Sequence, residues 1–439
     1  MAVVYLINLG GSGFLGPDEP RYASIGREMA QSHDVITPRL NGSPWFEKPP
    51  LLYWTTAAAK TLRLPDEWAA RLPVVLMSLA FLFFFSEILA REFSARIAIA
   101  ATAILATSAG WIGFSFAAVP DLPMTAALSA AMMITLFDTR REQGYVAGIL
   151  LGLAILAKGF VPVVLFAPLL LIARRKRLRT LAAAIAVAAP WYLLCYWRNG
   201  SIFWQEFFWK HHVQRFLTPL LEHVQPFWYY IPVILAGLFP WTPLAALLFR
   251  SKTYDDVRVR SLALWLIYAL LFFSVSRNKL PGYVLPLIPP LAIVFAVALE
   301  KTGAAQKWLI SACAALLTLV PAIALSLPDM LLFGIRHVAI SIKPGLPLLG
   351  LVPLVWWLAW RDVDRRQQIG LVAVALFLLV GVVYLKGRTL QQLDQRVSVR
   401  PFWLAHRAEL SNACIGEELR RDWEYGLDYY ESRAIPQHL

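Results

Sequence analysis

Carboxylates and cations are sparse in this 439-residue chain, and those outside the basic clusters gather in short groups. The first is Asp18-Glu19-Pro20-Arg21-Tyr22-Ala23. A carboxylate here can take the proton of an attacking hydroxyl as a general base. Asp18 can equally be a helix N-cap, with Glu19 favoured by the helix dipole and Pro20 tolerated in the first turn. The two roles are compatible, since a capping aspartate is well fixed. The second group is Phe46-Glu47-Lys48-Pro49-Pro50-Leu51-Leu52-Tyr53-Trp54. Its prolines hold a rigid extended segment that can aim Lys48 at a phosphate and Glu47 at a metal or a hydroxyl. The alternative is an interfacial turn with a snorkelling lysine and a Tyr/Trp anchor. Arg21 and Lys48 each sit beside an acidic residue, Glu19 and Glu47, so local ion pairing competes with phosphate contact. Asp121, between Pro120 and Pro123, is a carboxylate at a helix end or simply a cap. Lys158 breaks an apolar run, which points to function unless it snorkels. His211 and His212 precede Arg215, and adjacent histidines alone read as solvated loop residues. Lys279 and Tyr283 lie in what is otherwise an ordinary basic turn.

The elements that must position these groups are membrane helices. Hydrophobic residues make up 58% of the chain and charged residues 16%, against about 25% charged in a soluble domain. The apolar residues form continuous runs, which excludes a soluble multi-domain enzyme, a disordered chain and an alternating β-barrel. Runs at 68–90, 97–117, 122–137, 144–173, 180–197, 227–249, 261–276, 284–299, 308–327, 346–360 and 369–385 follow a first short stretch, Met1–Leu15. That stretch lacks a basic leader region and a small-residue cleavage site, so it reads as a short or tilted span and not as a removable signal. The 144–173 run reads as two short helices turning at Ala157-Lys158-Gly159. The sequence thus predicts an all-α polytopic membrane protein of about 13 spans.

Short basic loops, including Arg140-Arg141, the 174–179 cluster and 250–260, read as cytoplasmic. The alternate loops, 16–66, 118–121, 198–226, 277–283, 328–345 and the tail, then face outside and carry nearly all the unusual polar groups. The net charge of +13 fits positive-inside loops and anionic lipid, not nucleic acid. Three cysteines without metal or disulfide spacing add no framework. The expected division is 1–385 as the catalytic transmembrane domain, with amphipathic external juxtamembrane helices in loop 16–66, and 386–439 as a small external α/β region.

Asp-Glu-Pro-Arg-Tyr-Ala at 18–23, Thr-Pro-Arg-Leu-Asn-Gly at 37–42 and Phe-Glu-Lys-Pro-Pro-Leu at 46–51 resemble, in order and spacing, the first periplasmic loop of the ArnT-like glycosyltransferases. These belong to the GT-C superfamily together with the protein mannosyltransferases. The resemblance implies a GT-C fold and sugar transfer from an undecaprenyl or other polyprenyl phosphate to a lipid A-like or other lipid or protein acceptor. It places the site at the periplasmic face of a bacterial inner membrane. It implies catalytic roles for Asp18 and Asp121, with Asp18 as first choice of base. Arg21, Tyr22, Lys48, Tyr53, Lys158, Arg215, Lys279 and Tyr283 become substrate-binding residues. Glu47 and His212 match a zinc-binding pair in the family, incomplete by itself as a tetrahedral site; no organic cofactor is implied. The tail is smaller than the soluble domain of the lipid A enzyme. The rivals are a protein O-mannosyltransferase-like enzyme and a lipid-linked-sugar transporter. A transporter would place its polar groups in broken helices of repeated halves, and no repeat is visible.

Overall fold

The computed structural model describes residues 2–138, 140–214, 224–303, 306–336, 367–410, 413–415 and 419–436. Continuous apolar sequence becomes helix, as a bilayer requires when every backbone polar group must be satisfied internally. Five helical stretches are long and apolar enough to cross a membrane: Asp66–Glu92, Arg177–His211, Val257–Val275, Pro281–Glu300 and Gly370–Leu410. Three more runs qualify as bent pairs: Ala95–Thr107 with Ala109–Ser115 (61°), Phe227–Gly237 with Thr242–Phe249 (119°), and Gln306–Leu317 with Val320–Phe333 (55°). Asp121–Phe137, Gln143–Lys158 and Val161–Ile172 are shorter apolar helices. The predicted 346–360 span lies outside the described residues, and the first stretch forms only a five-residue helix, Ala2–Leu6. The 144–173 run does break near Lys158, at Gly159, whose φ of 77° favours glycine.

Every residue from Ile288 to Leu299 is buried. A helix apolar on all faces belongs at the centre of a bundle, and here it packs against the Ala95–Thr107 and Val257–Val275 helices. The last long helix, Gln367–Arg396, runs past the expected boundary at residue 385. Lys386 lies within it, buried, and donates to the carbonyls of Val4 and Ile7 at 2.9 and 2.7 Å. The described part of the tail is helical: Arg400–Leu410 and Arg421–Glu431. The expected α/β piece has there only the Ile415 N–H bond to the Pro436 carbonyl in place of a strand ladder.

Loop 16–66 folds as a layer of its own. Asp18–Ser32 and Leu51–Thr61 are helices. Gly26 lets them approach, since a Cβ there would lie 2.7 Å from the Thr56 side chain. Between them, Arg39–Leu40 pairs with Ser43–Pro44 around Asn41 and Gly42, at φ 52° and 78°. Asn-Gly suits such a turn, because both central residues need positive φ. Glu28 accepts from both turn amides at 2.7 and 3.0 Å, and Asn41 Nδ2 donates to Asp428 of the tail at 2.8 Å.

Candidate active site

Asp18 is the first residue of its helix and makes no side-chain capping bond; Pro17 holds the cap position. The carboxylate is half exposed, at 49%, and its Oδ1 accepts from Arg21 Nη2 at 2.6 Å. The same nitrogen reaches Glu47 Oε2 at 2.9 Å, while Lys48 Nζ meets Glu47 Oε1 at 2.9 Å. Arg21, Glu47 and Lys48 are largely buried. Arg21 also lies against the rings of Tyr22, Trp45 and Tyr425, the last from the C-terminal helix. Glu19 takes no part in this cluster. It pairs with Arg71, correcting the expected local Glu19–Arg21 pair.

Tyr22 and Tyr53 sit beneath the cluster with ring centroids 6.0 Å apart. Burial pushes both phenols well above their ordinary value, and the carboxylates of Asp18 and Glu47 add to the rise. Both therefore stay neutral. The Tyr53 hydroxyl and the Arg21 Nε are buried with no hydrogen-bond partner among the described residues, so each holds a donor in reserve.

A second cluster joins this one. Lys158 Nζ contacts Asp121 Oδ1 at 2.5 Å and lies 5.0 Å from the centre of the Tyr283 ring. Asp121 opens the Asp121–Phe137 helix, and Lys158 closes Gln143–Lys158, which packs against it. Gly282 makes room for the pair: a Cβ there would lie 2.4 Å from Asp121 Oδ1 and 2.9 Å from the Phe114 ring.

Both clusters open on one cavity, lined by Glu47, Lys48, Lys158 and Tyr283 against a largely apolar wall that includes Met124, Val161, Phe272 and Phe273. Two lysines beside an apolar wall suit an amphiphile with an anionic head. Lys279 stands behind the wall: its Nζ donates to the Ser276 carbonyl at 2.6 Å, and Ser276 lines the cavity. Burial, and then the nearby Arg277, lower the Lys279 pKa from its ordinary value. Arg215 and the side chain of His212 lie outside the described residues. His211 lines the cavity.

A metal fits the described residues poorly. Both Glu47 oxygens accept from cations, and no group of three His, Cys, Asp or Glu among the described residues could hold an ion.

The profile of the dolichyl-phosphate-mannose-protein mannosyltransferase family matches residues 47–197. An undecaprenyl phosphate-α-4-amino-4-deoxy-L-arabinose arabinosyl transferase from Pectobacterium carotovorum is 31% identical, over 84% of this chain and 70% of the relative. The chain belongs to this family of glycosyltransferases. A member from Serratia proteamaculans is 29% identical over 99% of this chain and 86% of its own length. The crystal structure of ArnT from Cupriavidus metallidurans bound to undecaprenyl phosphate shares the fold, with a TM-score of 0.78 over 99% of this chain and 83% of that one, at 24% identity. The arabinosyl transferase family thus supplies the GT-C membrane fold that the loop motifs imply, and its catalytic class excludes the transporter reading. Three parts of the site carried no readable signal in sequence: Arg71, whose partner is 52 positions away, Gly282, and the tail residue Tyr425.

Proposed function

We propose that this enzyme transfers a sugar from an undecaprenyl, or other polyprenyl, phosphate to a lipid A-like acceptor at the periplasmic face of a bacterial inner membrane. The cavity carries the proposal, because it sets Lys48 and Lys158 beside apolar walls in a membrane protein of this family. A lipid phosphate has that same division of charge and hydrocarbon. In this reading residues 1–385 form the catalytic membrane domain and the tail a periplasmic cover. The functional boundary falls inside the continuous Gln367–Arg396 helix.

The chemistry follows from charge. An acceptor oxygen attacks the anomeric carbon, and the bond from that carbon to the donor phosphate oxygen breaks. Polyprenyl phosphate leaves with the electron pair. Lys48 and Lys158 oppose the negative charge that gathers on it through charge-assisted hydrogen bonds. Both carboxylates are ion-paired, and Asp18 is the more accessible base, with 49% of its side chain exposed against 15% for Asp121. A hydroxyl acceptor gives Asp18 its proton; an already ionised phosphate acceptor only needs Asp18 to orient it. No step is assigned to a metal.

A second reading, a protein acceptor, draws on the mannosyltransferase profile match at 47–197. Mass spectrometry of lipid A, glycans and envelope proteins from cells with and without the gene separates the two. A mass increment of one sugar on lipid A, lost with the gene, supports the lipid acceptor; the same increment confined to protein overturns it. Elemental analysis of the purified enzyme against a Glu47→Gln/His212→Ala variant tests zinc, and equal content in both removes that pair as the ligands.

A further inference from the structure

The C-terminal helix Arg421–Glu431 reaches the Asp18 cluster with one side chain. The Tyr425 ring centre lies 5.4 Å from the Arg21 guanidinium carbon, with Tyr22 at 5.1 Å and Trp45 at 5.8 Å. Three rings from three separate segments thus lie against one buried cation, and a single nitrogen of that cation serves both Asp18 and Glu47. The Tyr425 ring is also 5.8 Å from Arg421 of its own helix. Among the described residues beyond Arg396, Tyr425 alone packs against the main apolar core; Leu427, two positions on, belongs to a separate cluster within the tail.

Other contacts fix the helix that carries this ring. Positions three and four apart share a helix face, and the face of Tyr425 continues with Asp428 and Tyr429. Asp428 accepts from Asn41 at 2.8 Å. The Tyr429 carbonyl accepts from Arg27 at 2.5 Å, and its hydroxyl donates to Asp66 at 2.8 Å. Gly426 lets the helix lie close on the chain, since a Cβ there would lie 2.6 Å from the Val399 side chain. The ring is therefore presented from a docked element and not from a free tail.

We propose that Tyr425 is a positioning residue for sugar transfer: its ring holds the Arg21 guanidinium where one nitrogen meets both carboxylates, so the tail completes the active site and does not only cover it. A ring face attracts a cation more strongly when water is excluded, and a planar guanidinium stacks where an ammonium cannot. Without the ring, Arg21 can turn, and Asp18 loses its fixed place. Arg21 does not line the donor cavity, so the cost falls on rate. The role of Asp18 rests on the proposed function; the hold of Tyr425 on Arg21 does not.

The test uses the whole chain. Tyr425→Phe keeps the ring face and loses the hydroxyl. Tyr425→Met fills similar space without a ring, and Tyr425→Gln is a second ring-less variant. Transfer is followed in cells that carry each variant in place of the gene, as the rate at which the mass increment appears on whichever acceptor, lipid A or protein, carries it with the wild type. A protein acceptor overturns the proposed function and leaves this test in force. Tyr425→Phe is expected within about twofold of wild type and the ring-less variants about 10- to 100-fold slower, the cost of a group displaced by about 1 Å. Undecaprenyl phosphate binding to the purified variants in nanodiscs should stay within about threefold of wild type. On an Arg21→Lys background, Tyr425→Met should add less than about twofold, because the ring then has no guanidinium to hold, whereas a plain packing loss would add in full. Thermal midpoints of wild type, both single variants and the double variant make a second cycle that needs no acceptor, and there too the losses should fail to add. Ring-less variants that transfer at the wild-type rate, a Tyr425→Phe variant as slow as Tyr425→Met, or additive losses in the midpoint cycle overturn the proposal.

Discussion

The Glu19 carboxylate grips the Arg71 guanidinium through two hydrogen bonds, at 3.0 and 2.8 Å, with both side chains about 5% exposed. The same carboxylate accepts from the Leu15 and Ala118 amides, both at 2.9 Å. Arg71 also donates to the carbonyls of Leu9, Ser12 and Gly13. One ion pair thus ties together the N-terminal segment, the helix that begins at Asp66 and the turn leading to Asp121. It fixes where the Asp18 helix starts. Removing one partner of a buried pair costs about 3–5 kcal/mol, because the other charge is left uncompensated. Glu19→Gln and Arg71→Met should each lower the thermal midpoint sharply in detergent. A midpoint unchanged in both would show that the pair does not hold this corner.

Asp18→Asn should do the opposite. The side chain is half exposed and caps nothing, so only its pair with Arg21 is lost. The buried Arg21 keeps Glu47 as its partner, so no charge is left uncompensated and the thermal midpoint should barely move. With a hydroxyl acceptor, turnover should fall by about 10²–10⁴, the usual worth of a general base. Single-turnover sugar transfer checks this. Near-normal turnover moves the base to Asp121 or points to an acceptor that is already ionised.

The contrast between these two aspects of the site shows what the sequence made legible. Asp18, Arg21, Glu47, Lys48, Asp121 and Lys158 were visible because charge is rare in an apolar chain and each sits within two residues of a proline or within an apolar run. The helical class was visible for the same reason: the apolar runs are long and continuous. Glu19–Arg71 was hidden, because nothing local in the Asp66–Glu92 sequence announces a partner in another loop. Asp121–Lys158 was hidden as a pair, since two separate helix ends must meet to form it. The bends at Ser108 and near Phe239 were also missed, as apolar continuity reports length and not direction.

Gly282 offers a test of the close approach at Asp121. The alanine Cβ would sit 2.4 Å from Asp121 Oδ1, so the carboxylate must shift away from its place beside Lys158. A misplacement of about 1 Å in a catalytic group can cost about 10²-fold in rate. Gly282→Ala should lower turnover strongly while the protein still inserts and folds. Transfer at wild-type rate would show that the Asp121 position is not critical.

Lys279 gives the site a pH signature. Its burial and the neighbouring Arg277 lower its pKa, so the charge is lost at a lower pH than for a free lysine. A donor interaction that depends on this charge is complete at low pH and fades as pH rises through the lowered pKa. Donor affinity should therefore weaken as pH rises, and do so below the ordinary lysine value of about 10.4. Lys279→Arg keeps its charge throughout that range and should flatten the profile. Equal profiles for wild type and variant would remove Lys279 from donor binding.

Arg21 and Lys48 should fail in different ways, although both carry a loop cation beside Glu47. Lys48 lines the donor cavity, where a phosphate can replace Glu47 as its partner. Lys48→Ala should weaken polyprenyl-phosphate binding by about 1.5–3 kcal/mol, or roughly 10- to 150-fold. Arg21 is buried behind it, and one of its nitrogens already serves both Asp18 and Glu47. Arg21→Lys keeps the charge but loses the planar guanidinium that lies against the rings of Tyr22, Trp45 and Tyr425 and is held there beside both carboxylates. Its cost should fall on turnover, through a displaced Asp18, with donor affinity within about threefold of wild type. Donor titration and single-turnover rates on both variants, in nanodiscs, separate the two roles. An Arg21→Lys variant that loses donor binding as severely as Lys48→Ala would put the guanidinium on the phosphate and break the assignment of Arg21 to holding the base.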